Sequence, residues 1–354
     1  MAQFLPFSEI KNYKNRVVVV DAHHPYAFAL SHWKGVQQPL GCEDDTSLGI
    51  VLNALKKMLP ETNWPYVSNN HFDADGFLGI WAYLHPHEAL AHEETLRQMA
   101  LIGDFREFNP THPQALEALA LVCWLNSVEK KRFYAPFGSP QEARMCVPKY
   151  EYFLPRFEFA LAKPETCQAE WKEEFEEVLR DYALVNERKL YGEASLMEVQ
   201  ASRPLHYYAL FAHSESVDYV MSLYPDNRYE LENKYSSWVT TSLRKTMPRL
   251  PLKTLAERLN TLEKSGLQWV ADGHKDTGPL LRLQHKKLSK EERYHHPYGR
   301  EIPSSSIPPE QWKAEVIGFL SAAYKDTQGQ AGGWSWAETA AFHEQVFGKS
   351  QSDD

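Results

Sequence analysis

Four consecutive valines, Val17 to Val20, stand between Arg16 and Asp21 and constrain the fold more than any other segment. Valine is β-branched and favours strands, and a strand that is apolar at every position is buried on both faces. Such strands occur in sheets that are covered by helices on both sides. The run therefore predicts an α/β fold, with a mainly parallel sheet and flanking helices in the N-terminal part of the chain.

Local patterns after this strand continue the α/β alternation. Asp44 to Ser47 precede an apolar helical pattern and predict an N-capped helix. Trp64 to Ser68 is typical of a short strand, and helices are expected at about residues 77–84 and 86–102. Residues 22–41, between the valine strand and the first of these helices, are expected to form a loop.

The chain length, 354 residues, exceeds the usual size of one domain. Apolar residues at helical spacing, among them Trp171 and Phe175, indicate a helical middle segment. Strand-like patterns at residues 205–211 and 228–239 and a helical one at 248–262 indicate an α+β region. We therefore predict an α/β domain of residues 1–200 that includes the helical segment 113–190, a smaller α+β domain of residues 201–347, and a flexible tail of residues 348–354.

Composition excludes several classes of protein. The net charge of −9 argues against binding to long duplex DNA through a broad basic face. No apolar run reaches the roughly 18 to 20 residues that span a bilayer, and Met1 to Ile10 lack the order of a signal peptide. The 4 cysteines are scattered without metal-binding or disulfide spacing. A cytoplasmic protein with reduced thiols and no membrane partner is expected.

The segment His71 to Gly76, HFDADG, is the best candidate for a functional site. It follows a predicted strand and precedes a helix, and ligands bind at the carboxyl ends of strands in open α/β sheets. His71, Asp73 and Asp75 can converge on one cation if the backbone curls, which Gly76 allows. Oxygen ligands with one nitrogen suit Mn²⁺ first and Mg²⁺ second, in one or two ions.

Two other interpretations compete for this segment. A calcium EF-hand requires an acid at the first loop position and a glutamate at the twelfth, where this chain has His71 and Ala82. In the second interpretation Asp73 and Asp75 cap the following helix. One acid suffices for a cap, so two acids with a histidine favour a metal site over capping alone.

A strand, the HFDADG segment and an apolar helix together resemble the first motif of the DHH phosphoesterase superfamily. The resemblance implies an α/β domain that holds two manganese ions, with Asp104 in Gly103-Asp104-Phe105 as the counterpart of the next metal-binding aspartate. The family's Asp-His-His motif is expected later in the chain. Here the only similar string is Asp21-Ala22-His23-His24, which comes earlier and has an extra residue, so it is either a permuted motif or incidental.

A wider layout also resembles a group of bacterial proteins without an assigned function. It comprises residues 30–35, Asp45-Thr46-Ser47, the HFDADG segment and Gly103-Asp104-Phe105. This layout draws attention to His32 and Asp45 as ligands of a second metal. Each also has a structural interpretation, His32 as a packed loop residue beside Trp33 and Asp45 as a helix cap.

The leading hypothesis is a metal-dependent hydrolase that acts on a small phosphoester, a nucleotide or a short oligonucleotide through metal-activated water. The expected metal ligands are His71, Asp73, Asp75, Asp104, Asp45 and Asp21. His23, His24 or His32 would act as a further ligand or as a general acid, and Arg228 or Arg249 would hold a substrate phosphate.

Two alternatives to this hypothesis remain open. One is a non-catalytic metal- or nucleotide-binding regulatory protein with a phosphoesterase-like fold. The other is an interaction protein that uses its helical middle and its aromatic C-terminal strands. The sequence leaves the oligomeric state and the substrate open.

Overall fold

A computed structural model describes residues 2–136 and 139–348. The chain divides into two compact units, residues 1–179 and 180–354. The division falls within a helix, before the boundary near residue 200 that the sequence suggests. Each unit is described by itself below.

The first unit contains a four-stranded sheet in the order β1-β4-β2-β3. Its strands are β1 (Gln3–Phe4), β2 (Val17–Val20), β3 (Phe28–Leu30) and β4 (Tyr66–Ser68). Every pairing is parallel. All four valines of β2 are fully buried, as their sequence predicts. Strand β3 lies inside the segment that we expected to be a loop, because three residues are too few to give a periodic signal.

Helices α1 (Ser47–Lys56) and α2 (Ala74–Leu84) pack against each other and against this sheet. Thr46 caps α1 by accepting a hydrogen bond from the Gly49 N–H, 3.0 Å away. The second helix begins three residues before the expected Phe77, so Asp75 lies in its first turn and Asp73 is its N-cap residue.

The helix expected at residues 86–102 is two helices, α3 (Pro86–Ala91) and α4 (Glu93–Phe105). We expected Gly103-Asp104-Phe105 to follow the helix. Instead, these three residues form the last turn of α4. Among the described residues, most of the predicted helical segment 113–190 is formed by α5 (Ala115–Arg132), α6 (Pro140–Ala162) and α7 (Gln168–Ala183), but its last residues, from Val185, form a strand. The division between the units falls inside α7.

The second unit contains a mixed six-stranded sheet in the order β5-β6-β7-β8-β10-β9. Strands β6 and β7 are parallel and the other neighbours are antiparallel. The strands are β5 (Val185–Tyr191), β6 (Leu196–Ala201), β7 (Tyr219–Tyr224), β8 (Arg228–Asn233), β9 (Gln268–Ala271) and β10 (Leu280–Gln284).

Within the described part of this unit, residues 180–348, α-helices accompany the sheet. They are α8 (Tyr207–Leu210), α9 (Leu252–Leu262), α10 (Lys290–Tyr294), α11 (Pro309–Tyr324) and α12 (Trp336–Phe347). The expected strand at residues 205–211 is wrong, because α8 occupies that position. The expected strand at 228–239 ends at Asn233.

The predicted fold class is confirmed: a parallel sheet with helices near the N-terminus, a helical middle, and a second α+β region. Within residues 2–136 and 139–348, no helix combines the length and the apolar character that crossing a bilayer requires.

Candidate metal centre

Asp21 follows the last residue of β2 and lies at the centre of the candidate site. Strand β2 pairs with β3 on one side and β4 on the other, so its carboxyl end adjoins the segments that follow both neighbours. The Asp21 N–H donates to the Leu30 carbonyl, 3.1 Å away. The residue has a φ of 49°, in the left-handed region that costs energy for any residue except glycine. Strained residues of this kind concentrate at functional sites.

His32 comes two residues after β3 and is fully buried. Its Nδ1 atom lies 2.7 Å from the Asp45 carbonyl oxygen and must donate to it. Its Nε2 atom lies 3.1 Å from Asp21 Oδ1 and 3.8 Å from an oxygen of Asp75 and of Asp104. A histidine that ligates a metal is commonly oriented in this way, by a hydrogen bond from its other nitrogen.

Asp75 connects the site to the start of α1. Its two oxygens accept hydrogen bonds from the N–H groups of Ser47, at 2.7 Å, and Leu48, at 2.9 Å. The Ser47 hydroxyl donates to Asp21 Oδ1 at 2.9 Å and accepts from the His32 N–H at 3.2 Å. The first turn of α1 therefore fixes three residues of the site.

Asp104, in the last turn of α4, adds a further carboxylate. Its side chain is 6% exposed. Its Oδ2 atom is buried without a hydrogen-bond partner among the described residues. A Cβ on Gly103 would lie 2.3 Å from the Ala74 Cβ, so glycine allows the end of α4 to approach the start of α2 this closely.

His71 and Asp73 lie on the other side of Asp21. His71 Nε2 is 3.1 Å from Asp21 Oδ2 and 3.0 Å from Asp73 Oδ2, and its Nδ1 is 2.8 Å from Asn70 Oδ1. The second oxygen of Asp73 accepts from the Gly76 N–H at 2.8 Å and caps α2. The side chains of His71 and Asp73 are each 36% exposed, so this side of the site faces solvent.

The side chains form two groups that share one residue. The inner group is Asp21, His32 and Asp75, and the outer group is Asp21, His71 and Asp73. Within each group, the candidate ligand atoms lie within 4.8 Å of one another. The inner residues are fully buried, whereas the outer group is partly exposed. Because Asp21 turns one oxygen to each histidine, its carboxylate joins the two groups.

Protonation reflects this crowding of acids and imidazoles. Burial opposes the charged form of His32, but its hydrogen bond to Asp21 and the nearby carboxylates raise its pKa to about 10. Burial likewise opposes ionisation of Asp21, yet its bonds to His32 and His71 lower its pKa. Burial raises the pKa of Asp75 to about 7 and the pKa of Asp104 well above its usual value.

Other expected site residues lie elsewhere or act differently. Asp45 offers its main-chain carbonyl to His32, and its carboxylate belongs to neither group. His23 is exposed, and His24 packs against Phe7 and Tyr26. Sequence reasoning missed Ser47, which as a helix N-terminal serine gave only a capping signal.

The two arginines expected to hold phosphate belong to the second unit. The Arg249 side chain is fully engaged, and the residue is 1% exposed. It donates to the Ser237 hydroxyl and to four main-chain carbonyls, those of Lys234, His274, Asp276 and Thr277. Burial lowers its pKa to about 10. The expectation that Arg249 binds phosphate is therefore wrong, because its donors hold loops together. Arg228 is half-buried and donates to the Pro225 carbonyl at 3.0 Å.

Comparison with known proteins gives one match. No curated protein and no solved structure matches the chain. A family model described as a family of unknown function, DUF6687, matches residues 1–331. This match covers most of the 354 residues, and both candidate metal groups lie within it. The chain therefore belongs to the DUF6687 family, whose function is unknown.

Proposed function

We propose that this protein is a manganese-dependent hydrolase of small phosphoesters, with an Asp21-bridged centre for two divalent cations. The observation that carries the proposal is the position of Asp21, whose Oδ1 and Oδ2 each lie 3.1 Å from the Nε2 atom of a different histidine. One carboxylate that faces two separate ligand groups could serve both ions of a two-metal centre.

The donor atoms fit divalent cations of this class. Each group offers one imidazole nitrogen and two carboxylates, a mixed set that suits manganese or magnesium better than a structural zinc. Asp104 Oδ2 supports the inner site, since it is buried without a hydrogen-bond partner among the described residues and lies 3.8 Å from His32 Nε2, where a cation would give it a partner.

The chain's own residues prepare the centre before any ion binds. Asp45 and Asn70 hold the Nδ1 atoms of His32 and His71, which directs both Nε2 atoms toward Asp21. The first turn of α1 holds Asp75. When bound, Mn²⁺ ions would lower the pKa of a water molecule and polarise a phosphoryl group. The exposed outer side, at His71 and Asp73, is where a substrate would approach.

The resemblance to DHH phosphoesterases supports the reaction class, with an altered order of segments. The HFDADG segment would supply His71, Asp73 and Asp75, while Asp21 would come from a strand that precedes it in the chain. Among the three histidines that follow Asp21 in sequence up to β3 and its loop, His23, His24 and His32, it is His32 whose imidazole lies beside Asp21. His32 therefore enters the proposal as a metal ligand.

Substrate size and location complete the proposal. The net charge of −9 favours a small phosphoester, a nucleotide or a short oligonucleotide over long duplex DNA. The expected cytoplasmic location also belongs to the proposal. The four cysteines, none of which forms a disulfide, are consistent with it.

The test combines metal analysis with an activity assay. Wild type, Asp73→Asn and Asp45→Asn are loaded with Mn²⁺, analysed for bound metal by mass spectrometry, and assayed on a phosphodiester such as a dinucleotide. We expect wild type and Asp45→Asn to bind metal and turn over substrate, because asparagine keeps the Asp45 carbonyl. Asp73→Asn should lose activity and part of its metal.

Other outcomes separate the alternatives. Metal without turnover on phosphodiesters, phosphomonoesters or nucleotides would favour the regulatory protein. If wild type binds no metal, the interpretation of Asp73 and Asp75 as helix-capping residues alone would be favoured.

A further inference from the structure

Two buried polar groups beside the metal centre lack hydrogen-bond partners. Asn69 is 1% exposed and Tyr150 is fully buried. Asn69 Nδ2 and the Tyr150 hydroxyl make no hydrogen bond within the described residues. Leaving a buried donor unsatisfied is costly, so such groups are rare unless a ligand or a water molecule completes them.

The Asn69 amide is oriented by the loop that carries the metal ligands. Its oxygen accepts from the N–H groups of Asn70, at 2.6 Å, and His71, at 3.3 Å, so its nitrogen points away from that turn. A Cβ on Gly76 would lie 2.1 Å from Asn69 Nδ2 and 3.0 Å from Asp73 Oδ1. The Asn69 amide and the Asp73 carboxylate therefore both lie against Gly76, in the first turn of α2.

Tyr150, from α6, is held against this loop by aromatic packing. Its ring stacks on Phe4 with centroids 4.5 Å apart and contacts Phe72 at 5.2 Å and Phe77 at 6.3 Å. Burial, with the charges of Asp73 and Asp21 adding to it, raises the pKa of the Tyr150 hydroxyl well above its usual value. The hydroxyl thus keeps its proton and can donate. It neighbours the Asn69 amide, but the contact falls outside hydrogen-bond geometry.

Lys149 brings a positive charge to the same face of the loop. Its ammonium lies 5.5 Å from the centre of the ring of Phe72, the residue between His71 and Asp73. The same ammonium lies 2.6 Å from Glu129 Oε1. Its side chain is 5% exposed. The Asn69 amide and the Tyr150 hydroxyl are neighbours, and the Lys149 ammonium adds positive charge beside Phe72; all three groups can donate hydrogen bonds.

We propose that Asn69 Nδ2 and the Tyr150 hydroxyl, assisted by Lys149, bind the non-reacting oxygens of the substrate's phosphoryl group. Asn69 Nδ2 and the Tyr150 hydroxyl, which make no hydrogen bond among the described residues, are complementary to an oxyanion, and charge-assisted hydrogen bonds to such an anion are the strong ones. The proposal rests on the proposed function, since it identifies which part of the phosphoester the chain grips. It also assigns phosphate binding to α6 and to Asn69, two residues before the HFDADG segment, in place of Arg249.

Entry to this subsite requires a side chain to move, because neither donor atom touches solvent. Lys149 precedes Tyr150 on α6, and its unbranched side chain with four rotatable bonds is able to move. The oxyanion then takes hydrogen bonds that the protein leaves unmade. The Tyr150 hydroxyl is therefore a group retained for ligand binding at a cost to the stability of the free protein.

The decisive experiment titrates inorganic phosphate into Mn²⁺-loaded wild type and Tyr150→Phe by calorimetry, and records the Tm of both without phosphate. Phenylalanine keeps the aromatic packing and removes only the hydroxyl. We expect phosphate to bind Tyr150→Phe at least about tenfold more weakly, which corresponds to one lost hydrogen bond to a charged group. We expect its Tm without phosphate to be equal or higher, because an unsatisfied group is gone.

A matched control lies on the same helix. Tyr152→Phe removes a hydroxyl from a half-buried ring that contacts Arg132 and Arg156, and should leave phosphate binding unchanged. The double variant Lys149→Met with Glu129→Gln removes the ammonium without leaving its partner charged, and should also weaken phosphate binding.

Mn²⁺ binding, measured separately in every variant, distinguishes failure of the two proposals. Wild type that binds Mn²⁺ but no phosphate, or equal phosphate affinity in wild type and Tyr150→Phe, would overturn the subsite and leave the metal centre standing. Loss of phosphate binding together with a lower Tm in Tyr150→Phe would also overturn it, because that pair of results marks a structural hydroxyl.

Discussion

The Nε2 atom of His71 lies 3.1 Å from one oxygen of Asp21, while the other oxygen of that carboxylate faces a second histidine. One side chain thereby takes part in both candidate metal groups. Its loss should affect two ions, whereas the loss of any other ligand should affect one.

Substitution at Asp21 tests this sharing. We expect Asp21→Asn to abolish binding of both Mn²⁺ ions, because an amide nitrogen cannot act as the second ligand oxygen. Asp73→Asn should remove one ion and leave the buried inner group loaded. Metal-to-protein ratios from mass spectrometry after gel filtration give the answer, and equal ratios in the two variants would contradict a shared carboxylate.

Metal binding should release protons and strengthen as pH rises. The pKa of Asp75 is raised to about 7 by burial, and the pKa of His32 to about 10 by Asp21 and the other carboxylates despite its burial. A cation must displace these protons, so the apparent Mn²⁺ affinity should increase from pH 6 to pH 8. Calorimetry in two buffers of different ionisation enthalpy counts the protons released. An affinity independent of pH would argue against these ligands.

Asp104→Asn should separate metal binding from folding. Burial raises the pKa of Asp104 well above its usual value, which favours the neutral carboxyl, and asparagine resembles that form in shape and charge. We expect the free energy of unfolding in EDTA to change by less than about 0.5 kcal/mol. In saturating Mn²⁺ the variant should be less stable than wild type. Urea unfolding under both conditions measures the difference.

Asp75→Asn provides the contrast. The native carboxylate accepts from the Ser47 N–H with one oxygen and from the Leu48 N–H with the other. Asparagine has only one oxygen, so one of these two hydrogen bonds is lost. Loss of a helix-capping bond costs about 1 kcal/mol, so this variant should be less stable even in EDTA. Equal stability of the two asparagine variants in EDTA would contradict the capping role of Asp75.

In the second unit, Glu263 should contribute stability that disappears in acid. Burial opposes its ionisation, but hydrogen bonds from Ser305, Ser306 and Ser265 lower its pKa from 4.5 to about 2. A lowered pKa in the folded state stabilises the protein above pH 4.5 and ceases to do so as pH falls towards 2. After allowance for solvent screening, we expect Glu263→Gln to cost about 1–2 kcal/mol at pH 7.

The measurement for Glu263 is urea unfolding of wild type and variant across this pH range. The difference in the free energy of unfolding should shrink between pH 4.5 and 2. A difference that stays constant would show that the carboxylate charge is not its source.

Sequence alone predicts those parts of the fold that depend on neighbouring residues. The Val17 to Val20 strand and the Thr46-capped helix were recognisable because a β-branched run and a capping residue act locally. Strand β3 was not recognisable, since three residues are too few to show the alternating hydrophobic pattern of a strand. Helix α8 was taken for a strand, because a short aromatic run is compatible with either structure.

The candidate site shows the same limit. The HFDADG segment was identifiable from its residue types, and Asp21 from its place after a strand. The sequence could not show that strand order brings Asp21 between His32 and His71, because that depends on which strands are neighbours. Nor could it show that Asp45 contributes its carbonyl, or that Tyr150, about 75 residues along the chain from Asp75, packs on the loop.

Asp75 and Asp104 both face His32, yet the presence of each in a related chain says something different about whether that chain keeps a working metal centre. Asp75 closes the first turn of α1, so a descendant that had abandoned chemistry would still be selected to keep it. Asp104 Oδ2 accepts no hydrogen bond from the described residues, so this oxygen caps no helix and gives the framework less reason to keep the residue once the centre fell idle. Among homologues, an intact HFDADG segment is therefore a weak sign of a working centre, and an aspartate at the end of α4 is the informative one.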